Sequence, residues 1–259
     1  MKYYYPEHLE GYARVKREGK TAWGEIHGDV GFEDFAARDF LAAVLPTLHF
    51  DAPEPTVLNY GCGTGPDACF LAQRGFRVDA VDLIPTAIEL ARQQAAARGL
   101  DIHYAVQDIC ELPTEGRRYD LIVDSYCLQC LVLDTDRQRV FSVVRARLNP
   151  SGYYLISTAL LDEAHQQQLR PDDTVTDRAT GVVYTRYADG LTDLRTGLVL
   201  RPLATAPTDL PDAREINGAW YLPHRRHLTP AQLDAELEAA GFRIIYRHPE
   251  HAGSVVCRV

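Results

Sequence analysis

No run of roughly eighteen or more apolar residues, the length that a membrane-spanning helix requires, occurs in the 259-residue chain. The sequence therefore offers no transmembrane segment. Basic residues are also scarce: 27 Lys and Arg stand against 36 Asp and Glu, a formal net charge of -9. That balance leaves no cationic surplus to neutralise a phosphate backbone, which argues against nucleic acid as a principal partner. Internal repeats and low-complexity tracts are absent, which sets repeat architectures aside. The opening Met-Lys-Tyr-Tyr-Tyr-Pro-Glu-His puts aromatics, a proline and a carboxylate where a secretory leader needs an unbroken apolar stretch. The six cysteines, at 62, 69, 110, 127, 130 and 257, accordingly read as reduced, mostly buried thiols of a cytoplasmic protein. Cys127 and Cys130 make a single CxxC; with no second pair and no histidines at ligand spacing, it reads as packing and not as a metal site.

What is present is a globular composition, 46% hydrophobic and 24% charged, long enough for one large domain with an insertion. Residues 7–19 form a polar stretch compatible with a helix. Phe35, Leu41, Val44, Leu45 and Leu48 predict a core-facing helix over 32–48, stopped by Asp51-Ala-Pro-Glu-Pro55. From Thr56 to Thr158 short apolar runs, at 56–60, 76–82, 102–108, 119–124 and 153–158, alternate with helical segments at 66–74, 86–98 and 135–148. Gly75, Gly99 and Asn149-Pro150 close those helices. Such alternation implies an α/β fold with a parallel sheet wrapped by helices. Residues 159–228 break the pattern, with short strands expected at 182–187, 198–201 and 219–222, and read as an inserted cap. Thr229, Pro230 and Gln232 then open a helix that Gly241 ends, and 242–247 and 254–259 supply two last strands.

The segment Val57-Leu-Asn-Tyr-Gly-Cys-Gly-Thr-Gly-Pro-Asp67 joins a buried strand to a helix through three glycines at alternate positions. Glycines there let a backbone approach a ligand closely. A dinucleotide fingerprint would place glycine at position 66, but this chain has Pro66. The spacing Gly61, Gly63, Gly65 resembles instead the first motif of class I S-adenosylmethionine-dependent methyltransferases, and further motifs of that family follow in order. The resemblance covers Thr56 to Thr158 well and the rest weakly. It implies a Rossmann-like, doubly wound, mostly parallel seven-stranded sheet, here with an N-terminal helical lid over 1–50 and the cap inserted into a domain spanning 51–259. It also implies S-adenosylmethionine as cofactor.

Asp82, 21 residues after Gly61 at the end of the second strand, can accept both hydroxyls of a ribose; a helix-capping role is the plainer alternative. By resemblance Asp108 accepts from the adenine amino group and Ile109 lies against the ring. Cys62 in the loop and Leu83 after Asp82 belong to the same cofactor surface. Asn59 stands where most family members carry an acid near the cofactor's ammonium group. Asp124, Ser125 and Tyr126, at the end of the fourth strand, border the reacting methyl or the methionine part, or else cap a loop.

Methyl transfer is an in-line displacement for which positioning and exclusion of water supply much of the catalysis. A dedicated base is optional; by position Asp124 and His165 are the candidates, with a surface role the plainer alternative for His165. Tyr4 and Tyr5, within Tyr3-Tyr-Tyr5, and Trp23 offer aromatic faces for a lid over a sulfonium, or anchors for a flanking helix. In the insertion, Tyr184, Arg186, Trp220, Tyr221 and the run His224-Arg-Arg-His227 either bind an acidic or planar substrate or form a solvated basic face. The functional expectation is a methyltransferase acting on a small molecule. Two alternatives stay open: a cyclase of the azetidine-2-carboxylate synthase kind, in which the cofactor's amino group closes a ring and methylthioadenosine leaves, and a non-catalytic cofactor-binding protein.

Overall fold

The structure, a computed structural model, describes residues 2–26, 28, 31–161 and 166–259. Helix α1 (Tyr5–Arg17) starts at a tyrosine with Pro6 in its first turn, where a missing N–H costs nothing. Its segment is less polar in its contacts than the sequence suggests. Tyr3 and Tyr4 are buried, and Tyr12 and Val15 form a stripe that packs on Ile84, Ala87 and Leu90. The helix expected over 32–48 is shorter, α2 being Arg38–Val44. Phe32 and Phe35 are instead anchored from irregular backbone, Phe32 beneath the Arg98 guanidinium and Phe35 edge-on to Phe70, so their burial does not need helical period.

The alternation that follows is as expected: β1 (Thr56–Tyr60), α3 (Pro66–Ala72), β2 (Arg77–Asp82), α4 (Pro85–Ala97), β3 (His103–Val106), β4 (Tyr119–Ser125), α5 (Asp134–Arg147) and β5 (Leu148–Ser157). Next come the strands of the insertion, β6 (Leu169–Thr176), β7 (Val183–Tyr187), β8 (Gly190–Asp193), β9 (Leu198–Leu203), β10 (Arg214–Ile216) and β11 (Ala219–Arg226). Helix α6 (Pro230–Ala239) and strands β12 (Arg243–Arg247) and β13 (Ser254–Arg258) complete the chain. A reciprocal capping box between Thr229 and Gln232 opens α6, as the sequence predicts.

The main sheet has seven strands in the order β12-β13-β5-β4-β1-β2-β3, and only β13 runs against its neighbours. Alternate residues feed two cores. Leu58, Tyr60, Ile122, Tyr154 and Ile156 face Val140 and Val144 of α5 and Leu233 and Leu237 of α6. Val57, Leu121, Val123 and Leu155 face α3 and α4 through Leu71, Ile88 and Ala91. Burial on both faces is why these strands read as continuous apolar runs.

The insertion is a six-stranded antiparallel sheet, β10-β11-β9-β8-β7-β6, and not three short strands. The missed strands lacked a signal. β6 is an almost wholly exposed edge strand carrying Pro171, Asp172 and Asp173, while β8 and β10 are only four and three residues long. Among the described residues no helix is long and apolar enough to cross a membrane.

Candidate active site

A cavity of about 600 Å³ opens at the C-terminal ends of β1, β2 and β4, where ligands bind in open α/β sheets. Its floor is the glycine loop. Gly63 has φ of +55°, and a Cβ there would sit 2.6 Å from the Tyr12 hydroxyl, so only glycine keeps this stretch of backbone clear beneath α1. Gly65, with φ of +88°, is not on the cavity wall; a Cβ there would lie 2.5 Å from the Tyr104 hydroxyl. The third glycine thus serves close packing between α3 and the sheet, the task a dinucleotide fingerprint assigns to position 66. Gly61 and Cys62 line the cavity, and the Cys62 amide donates to the Val81 carbonyl at 3.0 Å, tying the loop to β2.

Asp82 is buried at the rim of β2. Its Oδ2 accepts the Gly63 amide and its Oδ1 the Ile84 amide, each at 2.9 Å. Burial raises its pKa despite those two bonds. Asp108 follows β3 and accepts the Cys110 amide at 2.9 Å on Oδ1; its Oδ2 accepts the Tyr4 hydroxyl at 2.8 Å and lies 3.4 Å from Lys2 Nζ. Leu83, Ile109, Ser125 and Tyr126 also line the cavity. Tyr126 has φ of +60°, an uncommon conformation for a bulky residue, held as its amide donates to the Ser157 carbonyl at 2.7 Å.

Besides Gly65, three expected site residues lie off the cavity wall. Asp124 is 1% exposed and off the cavity wall; its Oδ1 accepts the Cys127 and Leu128 amides at 2.9 and 3.3 Å, and burial pushes its pKa up to about 6. It takes the capping alternative, because the turn after β4 presents N–H groups that the nearest carboxylate satisfies. Asn59 is equally buried, with Nδ2 donating to the Val123 carbonyl at 3.4 Å inside the sheet. Tyr5, the first residue of α1, packs beside the Tyr12 and Ile84 cluster, off the wall. His165 lies outside the described residues.

The wall facing the glycine loop comes from α1 and β11 and was not anticipated as a unit. His8 sits one turn after Tyr4, with Nδ1 2.6 Å from the Tyr4 carbonyl oxygen and its ring stacked on Trp23 at 5.3 Å. Burial disfavours its charged form, but the Cys130 thiol and the Tyr4 carbonyl outweigh that and raise its pKa to about 9. Cys130 also lines the cavity; burial opposes its thiolate, yet Arg225 and His8 lower its pKa below the ordinary value. Arg225 lines the cavity and pairs with Glu7 Oε1 at 2.7 Å and Oε2 at 3.1 Å. The basic run is therefore not a solvated face: His224 also reaches Glu7, at 3.1 Å, and Arg226 pairs with Asp134.

Residues 57–152 match the methyltransferase domain family. Over that stretch the chain is similar to a methyltransferase domain. The domain is 34% identical over 101 residues to the 2-heptyl-1-hydroxyquinolin-4(1H)-one methyltransferase of Mycobacteroides abscessus, covering 39% of this chain and 44% of that protein. It is also 34% identical over 102 residues to the ubiquinone biosynthesis O-methyltransferase of Coxiella burnetii, covering 39% of this chain and 42% of the relative. The match thus spans less than half the length of either relative. The fold extends further: a solved S-adenosylmethionine-dependent methyltransferase from Clostridium acetobutylicum superposes with a TM-score of 0.60 at 17% identity, covering 96% of this chain and 98% of that one. Outside residues 57–152, the arm and the inserted sheet contribute to the opposite wall of the cavity.

Proposed function

We propose that the protein transfers the methyl group of S-adenosylmethionine to a small-molecule acceptor in the cavity between the glycine loop and the α1–β11 wall. The observation that carries this reading is Asp82, a buried carboxylate fixed by the Gly63 and Ile84 amides on the wall of a 600 Å³ cavity. That volume lies in the range of small-molecule sites. The residues fit the cofactor: Asp82 would accept its ribose hydroxyls, Asp108 and Ile109 would hold the adenine, and the clear backbone at Gly63 would admit its linking atoms. When bound, the cofactor supplies an electrophilic methyl group on a sulfonium.

The chain itself contributes orientation and exclusion of water. Tyr4, Tyr12 and Trp23 form an aromatic cover from residues 1–50, which act as a lid. His8, whose charged form the Cys130 thiol and the Tyr4 carbonyl favour, places an imidazolium on the cavity wall that can orient an acceptor by donating to it. Six free thiols accord with a reducing, cytoplasmic setting.

The test is incubation of purified protein with S-adenosylmethionine, alone and with hydroxyl-bearing aromatic acceptors, followed by chromatography. S-Adenosylhomocysteine formed only with an acceptor is the expected result. Azetidine-2-carboxylate formed together with methylthioadenosine, without an acceptor and above a protein-free control, would establish ring closure instead, and a cofactor that binds but stays unchanged throughout would reduce the protein to a binding module.

A further inference from the structure

The cavity has two ends, set by strand order. β2 and β3, with Asp82 and Asp108 at their tips, lie on one side of β1, and β4, ending in Ser125, lies on the other. Each of the first two carboxylates is engaged: Asp82 by two backbone amides, Asp108 by the Cys110 amide, Tyr4 and Lys2. A third carboxylate stands at the other end. Asp67, in the first turn of α3, is 6% exposed, lines the cavity, and accepts the Ser125 hydroxyl on Oδ1 at 2.5 Å. No ion pair to Asp67 exists among the described residues, and burial pushes its pKa up to about 6.

A buried carboxylate without a cation is costly, and one on a cavity wall is relieved when a ligand brings the cation with it. Asn59, at the end of β1 just before the glycine loop, is neutral and turned into the sheet toward Val123, so it offers no counter-charge. The ligand must therefore find its counter-charge elsewhere. A nucleoside held by Asp82 and Asp108 would direct its tail across β1 toward β4, where Asp67 and Ser125 line the cavity.

We propose that Asp67, oriented by Ser125, is the counter-ion of the α-ammonium group on the cofactor's methionyl tail. The proposal rests on the cofactor assignment above and deepens it. S-Adenosylhomocysteine is the appropriate probe because it lacks the sulfonium, so its ammonium is its one cationic group. Its analogue without the α-amino group is the control. Asp67→Asn retains a partner for Ser125 and keeps the site's shape.

By isothermal calorimetry at pH 7.5, Asp67→Asn is expected to weaken S-adenosylhomocysteine by roughly 10- to 100-fold, the loss of one charge-assisted hydrogen bond. Its affinity for the deaminated analogue should stay within about twofold of wild type. Ser125→Ala should show the same selectivity with a smaller loss, which keeps the test open should Asp67→Asn fold poorly. Equal weakening of both ligands, or of neither, with wild-type binding intact, overturns the role of Asp67 alone. Failure of the wild-type protein to bind S-adenosylhomocysteine overturns the cofactor assignment, and the role of Asp67 falls with it.

Discussion

Glu7 and Arg225, 218 residues apart, form a two-pronged ion pair that fastens helix α1 to strand β11 of the inserted sheet. The pair is mostly buried, so removing one partner leaves the other charge uncompensated. Glu7→Gln is expected to lower stability by about 2 kcal/mol at pH 7 in urea denaturation. Arg225 and His224 hold the Glu7 carboxyl well below the usual carboxylate range against the opposing effect of burial. The stabilisation is therefore fully present above about pH 4.3 and is lost only as the solution turns strongly acid. A difference between wild type and variant that is already gone at pH 5 would contradict this.

Cys130 is predicted to be the most reactive of the six thiols. Arg225 and His8 favour its thiolate against burial, whereas burial raises the pKa of Cys62 and Cys127. Iodoacetamide labelling mapped by mass spectrometry should modify Cys130 first, with an apparent pKa below the ordinary value of about 8.5. His8→Gln should move that pKa up, and S-adenosylhomocysteine should slow the labelling. Labelling of Cys130 no faster than of Cys257 would count against the cluster.

Asp67 makes the ligand-free protein less stable as pH rises. Its folded pKa, raised to about 6, exceeds an unfolded value near 3.9, so its contribution is complete below about pH 4 and is lost as pH climbs through 6. Asp67→Asn removes that loss. Its thermal midpoint relative to wild type should rise by roughly 5 °C between pH 4 and pH 7.5, read by calorimetry. A constant offset across that range would show that the carboxyl is not strained by burial.

The aromatic arm is expected to respond to ligand. Tyr4, His8, Tyr12 and Trp23 all line the cavity, so S-adenosylhomocysteine should add protection to amides of α1 in hydrogen exchange. Trp23→Ala, a change on the cavity side of the arm, should then lower turnover more than stability. Unchanged protection together with a large loss of stability would make the segment a fixed structural arm.

The parallel sheet was legible because strands buried on both faces leave unbroken apolar runs, and because Gly75 and Gly99 mark helix ends in the sequence itself. Asp82, Asp108 and the loop at Gly61 and Gly63 were legible for a similar reason: each follows a strand at fixed spacing. The opposite wall was not. His8, Cys130 and Arg225 meet through contacts between α1, the turn after β4 and an inserted strand, and no local periodicity encodes such a meeting. Asp124 misled because a carboxylate at a strand end looks the same in sequence whether it faces a ligand or caps a turn. Asp67 stood in plain view after Pro66, but its place on the cavity wall beside Ser125 depends on how α3 packs against β4, which no local signal encodes.

The central claim, that the cavity holds S-adenosylmethionine by its ribose at Asp82, is tested most directly by calorimetry of S-adenosylhomocysteine with wild-type protein and Asp82→Ala. The account predicts that the wild type binds it and does not bind nicotinamide dinucleotides. Loss of two charge-assisted hydrogen bonds should weaken the variant by about 10² to 10⁴. An unchanged affinity in a folded Asp82→Ala protein would contradict the account.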